Sequence, residues 1–458
     1  MSSYQSINPA NNQLLKSWPE HSTEKAQQAL ETAHQLYQSS WSKGDIQPRL
    51  QVLKKVADII DRRSEELAKI ASLEMGKLIN QSRGEVKLCA QIARYYAEHA
   101  QRFLQPTRYP SDLGEAWVEH HPIGVIMAVE PWNFPYYQLM RVLAPNLAAG
   151  NPVLAKHASI VPHCADIFAQ IVLEAGAPRG AWTNLFISGE QVASLIADDR
   201  VQGVALTGSE KAGSAVAAQA AKYLKKSTLE LGGNDVFVVL DDCDLDEAVK
   251  QGAQARLSNA GQVCTAAKRF IVHEKVADQF LEKFTAAFAA VKIGDPLDES
   301  TTLGPLSSAS ARDSLDQQVQ QAIAHGATLH YGGKVQDGAG CFYQPTILTG
   351  ITRQNPAYFE EFFGPVAQVY VVKDDDEVVK LANDSHYGLG GSVFTANIER
   401  GKQLASRIET GMVFINSMSD TAPELPFGGI KRSGYGRELS DLGIKEFVNQ
   451  KLVVVAKS

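Results

Sequence analysis

The sequence predicts an α/β protein in which mostly parallel sheets are covered by helices. Three observations support this class. Strand-like and helix-like segments alternate after residue 150, the alternation restarts after Asp241, and 458 residues correspond to about three units of ~150 residues. Such alternation is typical of βαβ units, whose strands run parallel. Two α/β domains are therefore expected.

The N-terminal part of the chain is predicted to be helical. Over residues 24–105, apolar residues recur every three or four positions with charges between them. Turn-forming residues at 106–114 mark a boundary, and the extended segments that follow end in a loop at 130–135. A helical region therefore leads directly into a sheet.

The first alternating stretch contains distinct strands and helices. NPVLAKHAS predicts a short strand and a turn, and CADIFAQIVLEAGAP predicts a helix that ends at Gly176 and Pro178. GVALTGS predicts a strand, EKAGSAVAAQAAKYL predicts a helix, and STLELGGNDVFVVL contains strand-like runs broken by a glycine pair. A second half with helices and strands runs to about residue 430.

The C-terminal segment FVNQKLVVVAKS predicts a β-strand with no helix to cover it. An uncovered apolar edge strand is prone to aggregation. We therefore expect this strand to pair with another copy of the chain, which predicts a homodimer or a dimer of dimers.

Composition and charge exclude several classes of partner. The formal charge, 44 − 51 = −7, argues against nucleic acid as the main partner, because that binding needs a clustered positive surface. Five widely spaced cysteines without a C-x-x-C pair argue against a disulfide framework or a zinc site. No signal peptide is visible, and no apolar run approaches the ~18 residues of a membrane span. We expect a cytoplasmic protein that binds no membrane.

Several common signatures fail. The segment 208–213 has P-loop spacing, but Ser214 stands where that motif needs a lysine. Neither G-x-G-x-x-G nor G-x-S-x-G occurs. An acidic run that begins at Asp242 resembles an EF-hand, but Glu247 occupies the position that requires glycine. The histidines show no metal-binding spacing, so no metal is expected.

Seven short segments remain, and they occur in a fixed order along the chain: EPWNFP at 130–135, LAKHAS at 154–159, TGS at 207–209, LELGG at 229–233, GQVC at 261–264, EEFFGP at 360–365 and PFGG at 426–429. Together they closely resemble the aldehyde dehydrogenase superfamily, over essentially the whole chain. KHAS, GQVCTAAKR and PFGGIKRSGYGRE look most like its succinate-semialdehyde dehydrogenase branch.

The resemblance implies a Rossmann-like cofactor domain, an α/β catalytic domain and a small β oligomerisation element. Residues 1–106 and 123–232 would form the cofactor domain, and residues 233–431 would form the catalytic domain. Residues 107–122 and 440–458 would form the oligomerisation element.

Three residues carry the implied chemistry. A lone cysteine is usually an inert small hydrophobe, but the resemblance makes Cys264 the nucleophile. Asn133 would stabilise an oxyanion, although a turn or cap is the ordinary role of such an asparagine. Glu230 lies between Leu229 and Leu231, so we expect it to be desolvated, with a raised pKa, rather than paired with a surface lysine. By resemblance, Glu230 activates the water that hydrolyses a thioester.

The resemblance also implies a nicotinamide cofactor. A helix N-terminus suits a phosphate, a strand-end lysine suits a ribose or phosphate, and a carboxylate suits the nicotinamide ribose. The residues assigned to these and neighbouring contacts are Trp132, Lys156, Ser159, Gly208, Ser209, Leu231, Glu361 and Phe363.

One position bears on the choice of cofactor. Relatives that prefer NAD often carry a carboxylate three residues after the strand-end lysine. Here that position is Ser159, which is neutral, so a 2′-phosphate meets no repulsion and Lys156 attracts it. We predict that NADP is preferred, with NAD as the alternative.

Substrate recognition is predicted to depend on Arg141. It follows Asn133 by eight residues, about two helical turns, and so lies on roughly the same face. A cation there suits the carboxylate of a short aldehyde; the alternative is a helix-surface salt bridge. Ser419 or Thr421 would add a hydroxyl contact.

The resulting hypothesis is oxidation of an aldehyde, succinate semialdehyde, to its acid through a cysteine thioester. Three alternatives stay open. The chain could oxidise another small aliphatic or amino-aldehyde, it could be a catalytically silent binding or structural protein on the same scaffold, or it could be a thioesterase-like hydrolase that needs no nicotinamide.

Overall fold

The N-terminal region combines a β-hairpin with a group of helices. The computed structural model describes residues 4–457. The helical prediction for residues 24–105 is confirmed, whereas the hairpin was not predicted. The elements are β1 (Tyr4–Asn8), β2 (Gln13–Trp18), α1 (Thr23–Gln38), α2 (Ser40–Lys43), α3 (Gln47–Arg62), α4 (Ser64–Met75), α5 (Ile79–Phe103), β3 (Thr107–Tyr109) and β4 (Gly114–Pro122).

A six-stranded sheet follows, with helices between its parallel strands. Five of the six residues of its central VIMAVE strand are buried, as expected for a sheet covered on both faces. The elements are β5 (Val125–Glu130), α6 (Tyr137–Ala149), β6 (Val153–His157), α7 (Pro162–Glu174), β7 (Trp182–Asn184), α8 (Gly189–Ala197), β8 (Val201–Thr207), α9 (Glu210–Lys222) and β9 (Lys226–Glu230).

A seven-stranded sheet forms the second α/β layer, and three short strands and the C-terminal strand complete the chain. The elements are β10 (Val236–Val239), α10 (Leu245–Leu257), β11 (Arg269–His273), α11 (Glu274–Ala289), α12 (Ala309–Ala324), β12 (Thr328–Tyr331), β13 (Thr346–Thr349), β14 (Val366–Val372), α13 (Asp375–Asn383), β15 (Tyr387–Gly388), β16 (Gly391–Phe394), α14 (Ile398–Arg407), β17 (Phe414–Ile415), β18 (Ile430–Lys431), β19 (Gly434–Tyr435), α15 (Ser440–Gly443) and β20 (Val448–Ala456). Two 3-10 turns lie at Ser258–Gly261 and Pro356–Tyr358.

The two large sheets confirm the predicted α/β class. The strand order of the first is β19-β9-β8-β5-β6-β7, and that of the second is β12-β13-β14-β11-β10-β16-β17. Pairs within each sheet are parallel except β19 with β9 and β12 with β13. The chain passes from one sheet to the other over residues 231–235, between β9 and β10. The division into three domain segments stays a prediction.

The carboxyl ends of three neighbouring strands define one edge of the first sheet. β5 ends at Glu130, β8 ends at Thr207 and β9 ends at Glu230. Thr207 is the register partner of Glu230, and Val129 is that of Leu206. Because parallel strands end at a common edge, where α/β sheets bind ligands, this edge is the expected place for a site.

The C-terminal strand has a partner within the same chain. β20 pairs antiparallel with β4 of the same chain, from Val448 opposite Pro122 to Ala456 opposite Gly114. This pairing joins residues 107–122 and 440–458, and the expected pairing of β20 with another chain stays a prediction for its other edge. In the order β20-β4-β3, the other edge of β20 meets no strand within residues 4–457, and Leu452 is 61% exposed.

Helix α6 is buried on all sides, which explains its apolar sequence. All thirteen of its residues are buried, including Gln138, Arg141 and Asn146. Over residues 4–457, no helix is both long enough and apolar enough to span a bilayer.

Candidate active site

A cavity of about 290 Å³ opens at the carboxyl edge of the six-stranded sheet. Cys264, Glu230 and Asn133 all lie on its wall, although they are far apart in sequence. The wall is formed by Pro131, Trp132, Asn133, Gln138, Thr207, Gly208, Ser209, Glu230, Leu231, Gly232, Cys264, Glu361 and Phe363.

A tight bend presents Cys264 to this cavity. Asn259, Ala260 and Gly261 have φ angles of 52°, 53° and 75°, which place three successive residues in the left-handed region. A β-carbon at position 261 would overlap the carbonyl oxygen of Gly364, so glycine is required there. The bend therefore reverses the chain after α10 and directs the following loop to the cavity.

The Cys264 thiol is protonated in the free cavity. Burial raises its pKa from 9.0 to about 12, against the attraction of Lys268 and Arg141, while the charges of Asp235 and Glu361 raise it further. Because the thiolate is the nucleophilic form, attack requires a base or an added positive charge in the cavity.

Asn133 is fixed by the same loop. Its Nδ2 donates to the carbonyl oxygen of Gln262 at 3.1 Å, and its own carbonyl oxygen accepts from Asn259 Nδ2 at 2.9 Å. A side-chain amide carries two hydrogens, so the second Nδ2 hydrogen is available to a ligand in the cavity. Gln262 is held in turn, because Ser307 N donates to its Oε1 at 2.9 Å.

Glu230 has a different environment. It is 2% exposed, and neither carboxyl oxygen has a hydrogen-bond partner within residues 4–457. Burial and the nearby Glu438 raise its pKa well above 4.5, although Arg141 opposes the shift. The predicted desolvation of Glu230 is confirmed. The alternative, an ion pair between Glu230 and a surface lysine, is not formed within residues 4–457, and Lys226 pairs with Glu446 instead.

A second buried carboxyl group lies at the same sheet edge. Glu130 is 3% exposed, and burial together with Glu438 raises its pKa well above the ordinary value. Arg141 lowers the pKa of both Glu130 and Glu230. One guanidinium therefore faces three buried carboxyl groups, so at neutral pH some of them are uncharged.

Several wall residues have the shape and chemistry of a nucleotide site. Gly208 precedes α9, and Ser209 caps this helix by accepting from Ala212 N at 3.3 Å. The N-terminus of a helix attracts phosphate. Trp132 and Phe363 meet edge to face, with centroids 5.8 Å apart, and Glu361 lies beside them on the wall.

Comparison with known proteins decides the family. The aldehyde dehydrogenase family profile matches residues 1–453. This chain belongs to the aldehyde dehydrogenase family. It is 48% identical over 450 residues to the NADP(+) succinate-semialdehyde dehydrogenase of Deinococcus radiodurans, covering 98% of this chain and 94% of that protein. The NAD(P)+ succinate semialdehyde dehydrogenase of Escherichia coli K12 is 43% identical over 444 residues, covering 97% of this chain and 96% of that protein.

Solved structures agree with this assignment. Succinic semialdehyde dehydrogenase from Streptococcus pyogenes, in complex with NADP+ as the cofactor, superposes with a TM-score of 0.98 at 51% identity. The match covers 99% of this chain and 100% of that one. The aldehyde dehydrogenase fold, with two parallel-sheet layers, is thus established.

In the structure of this aldehyde dehydrogenase, Arg141 does not line the cavity in which it was predicted to contact the substrate. Its Nε forms an ion pair with Glu438, and Nη1 and Nη2 bond Tyr137 Oη at 3.2 Å and Thr207 Oγ1 at 3.1 Å. The guanidinium also lies over the ring of Phe427. Arg141 is neither on the cavity wall nor on the helix surface, so its charge is already balanced within the protein core.

Four other predicted residues lie off the wall of the cavity. Lys156 is the penultimate residue of β6, with its ammonium 5.8 Å from the ring centre of Tyr4, and Ser159 is exposed two residues beyond that strand. Thr421 lines a separate groove of about 220 Å³ with Phe427. Ser419 lies near Gly390 instead.

Some residues of the site were missed by sequence reasoning. Asn259 and Gln262 hold Asn133, Lys268 lies under the nucleophile loop, and Glu438 neutralises Arg141. Gln262 and Lys268 belong to the GQVCTAAKR segment that carries the family resemblance. An amide and a lysine so close to the cysteine could have indicated residues that position its loop. No local pattern indicates that Glu438 meets Arg141.

Proposed function

We propose that this enzyme oxidises succinate semialdehyde to succinate with NADP as the hydride acceptor. The observation that carries the proposal is the common wall shared by a cysteine, an unpartnered buried glutamate and an asparagine amide. The substrate and cofactor are those in the names of relatives at 43–48% identity over nearly the full chain.

The residues present fit a nicotinamide dinucleotide. Gly208 and Ser209 offer the N-terminus of a thirteen-residue helix to a phosphate. Glu361 Oε1 accepts a hydrogen bond from Gly233 N and forms an ion pair with Lys268, which leaves Oε2 for ribose hydroxyls at the cavity. A bound nicotinamide would supply the acceptor for the hydride that leaves the aldehyde carbon.

The residues of the chain perform the remaining work. Cys264 Sγ loses its proton to solvent and forms a bond to the aldehyde carbon, while the electron pair of the carbonyl π bond moves onto the oxygen. The free hydrogen of Asn133 Nδ2 and the backbone N–H of Cys264 stabilise the negative oxygen. After hydride loss, the acyl group stays on sulfur as a thioester.

Glu230 completes the reaction. Its raised pKa suits a general base, which takes a proton from water while the oxygen of that water bonds the acyl carbon. The carbon–sulfur bond then breaks, the acid leaves and the cysteine is restored. A thioester hydrolysed in this way needs no metal ligand and no second thiol.

The preference for NADP rests on Ser159 and Lys156. A neutral residue at 159 leaves a 2′-phosphate unopposed, and an ammonium nearby attracts it. Steady-state oxidation of succinate semialdehyde with each cofactor tests the proposal. We expect kcat/KM with NADP to exceed that with NAD; a far higher value with NAD would contradict it. Ser159→Glu should reverse the order while leaving aldehyde KM unchanged.

A neutral aldehyde is the second candidate substrate, because the cation predicted to bind a carboxylate is already paired. Butanal has the same chain length as succinate semialdehyde and no carboxylate, so it is the matched comparison. We expect kcat/KM for succinate semialdehyde to be at least tenfold greater, a difference of ~1.4 kcal/mol, because the relatives named above are succinate-semialdehyde dehydrogenases. Equal values would favour the neutral aldehyde.

We also propose that the free edge of β20 pairs with a second copy of the chain, giving a homodimer or a dimer of dimers. The exposed Leu452 and Val455, on a nine-residue strand, support this. Light scattering of the wild type and of a Leu452→Lys variant measures it. A monomeric wild type would contradict it.

A further inference from the structure

Lys268 is a fully buried cation directly beneath the candidate nucleophile. Its side chain has 0% exposure, and its Nζ donates to the carbonyl oxygens of Val263, at 2.8 Å, and Cys264. Its third contact is an ion pair with Glu361 Oε1 at 3.0 Å. The buried positive charge is therefore balanced by one carboxylate and solvated by two carbonyl oxygens.

Glu361 joins this cation to the cofactor side of the cavity. Its Oε1 also accepts from Gly233 N at 3.1 Å, while its Oε2 lies against Gly232, where a β-carbon would overlap it. Glu361 is therefore held in one orientation by two partners on the same oxygen.

The backbone of Lys268 is anchored as firmly as its side chain. Its N–H donates to the carbonyl oxygen of Asp235 at 3.0 Å, and its carbonyl oxygen accepts from Gln368 N at 2.9 Å. Asp235 directly precedes β10, and Gln368 lies in β14. The ammonium is therefore fixed relative to the seven-stranded sheet, and the nucleophile loop and Glu361 are both fixed relative to the ammonium.

We propose that Lys268 is a positioning residue that links the thiol loop to the cofactor carboxylate, so that cofactor binding at Glu361 and reactivity at Cys264 depend on the same side chain. The proposal rests on the function proposed above for those two residues. The effect of Lys268 is electrostatic as well as geometric, because its ammonium pairs with the Glu361 carboxylate and also favours the thiolate form of Cys264.

The sign of each charge around Cys264 gives the proposal a sharp readout. The charged groups that face the thiol are Lys268 and Arg141, which favour the thiolate, and Asp235 and Glu361, which oppose it; Glu230 shares the cavity wall. Removing the lysine charge should make the thiol harder to ionise. Removing the Glu361 charge should do the opposite, although both changes break the same ion pair.

The experiment measures the rate at which iodoacetamide alkylates Cys264 in the full chain between pH 7 and 9, followed by mass spectrometry of the labelled peptide. Below its pKa, the thiolate fraction falls tenfold for each unit that the pKa rises. We expect Lys268→Met to slow alkylation at least fivefold and Glu361→Gln to accelerate it at least twofold. Lys268→Arg, which keeps the charge, should stay within twofold of wild type.

Cofactor binding provides the second readout. Lys268→Met should raise KM for NADP about tenfold, and the double variant with Glu361→Gln should raise it little beyond Glu361→Gln alone, because the two residues act through one contact. Lys225→Met is the matched control: this lysine is also mostly buried, paired with Asp199 far from the cavity wall, and should change neither readout.

Two results would overturn the proposal: equal slowing of alkylation in Lys268→Met and Glu361→Gln, or fully additive effects on KM. If Lys268→Met does not fold, the alkylation rates of Glu361→Gln and Lys268→Arg test the proposal. A Glu361→Gln variant that is not alkylated faster than wild type would count against the proposed role of Lys268. Failure of the proposed function is seen separately, as absence of aldehyde oxidation by the wild type.

Discussion

The two chemical halves of the cavity are built differently. On the nucleophile side, Cys264 lies in a loop whose carbonyls are bound by Lys268, and Asn133 is fixed through Asn259. On the base side, the oxygens of Glu230 have no hydrogen-bond partner in the described chain, and Glu130 is in the same condition. Hydrogen bonds fix the nucleophile side, whereas no hydrogen bond within residues 4–457 stabilises either protonation state of Glu230 on the base side.

This difference suits two different tasks. Attack on a carbonyl needs a fixed oxyanion donor, because a misplaced donor stabilises the transition state less. Activation of water needs a carboxylate whose pKa is near the working pH, which burial without hydrogen bonds provides. Hydrogen bonds that would stabilise the charged form of Glu230 would weaken it as a base.

Glu230→Gln should have the largest effect, because it removes the base and keeps the shape. We expect steady-state turnover to fall by about 10³-fold, within the range for general bases. A first burst of reduced cofactor should persist, since hydride loss precedes hydrolysis. Stopped-flow absorbance measures both phases, and loss of the burst together with turnover would place Glu230 in the first half of the reaction.

The same comparison predicts a pH dependence. Burial raises the pKa of Glu230, so its basic form accumulates only as pH rises through that raised value. Hydrolysis should therefore accelerate with increasing pH in the wild type, and Glu230→Gln should flatten this limb. A wild-type rate that falls over the same range would contradict the assignment.

Asn133→Ala tests the fixed side, with a smaller expected loss. Removal of one oxyanion donor typically lowers the rate by about 10²–10³-fold. The burst rate itself should fall here, whereas in Glu230→Gln it is retained. Asn133→Asp is the companion variant, because it keeps the size but presents no amide hydrogen. Retention of the burst rate in both variants would remove Asn133 from the mechanism.

Arg141→Met should change substrate choice least. Because Arg141 is paired with the buried Glu438, its loss leaves an uncompensated carboxylate and should lower the free energy of unfolding by about 3–5 kcal/mol. The ratio of kcat/KM for succinate semialdehyde to that for butanal should stay within threefold of wild type. Urea denaturation and the two-substrate assay measure these effects. A selective loss of succinate semialdehyde oxidation would restore Arg141 as a substrate contact.

Sequence patterns predicted the burial and secondary structure that depend on neighbouring residues in the chain. The leucines beside Glu230 indicated its burial, and the periodic spacing over residues 24–105 indicated helices, since both properties follow from neighbouring residues. The partner of Arg141 was not predictable, because Glu438 lies 297 residues later and meets it only after the fold is complete. The eight-residue spacing did not put Asn133 and Arg141 on one helix face, because α6 begins at Tyr137 and Asn133 lies in the loop before it.

The intrachain partner of the C-terminal strand was not predictable for a similar reason. The apolar, uncovered sequence of this segment correctly indicated a strand at a sheet edge. The identity of its neighbour depends on β4, more than 300 residues earlier, and an edge strand accepts an internal or an external partner equally well. Hydrogen bonds between strands join backbone groups and depend little on side-chain identity. The composition of the segment therefore could not distinguish an internal partner from an external one.

The crossing at residues 231–235 has a mechanical consequence. Glu230 ends a strand of the six-stranded sheet, while the loop of Cys264 runs into β11 of the seven-stranded sheet. The gap between sulfur and carboxylate is thus set by how the two halves are oriented, and a rotation of a few degrees opens or narrows it. Substitutions at the contact between the halves can therefore change the lifetime of the acylated enzyme without touching either reactive group.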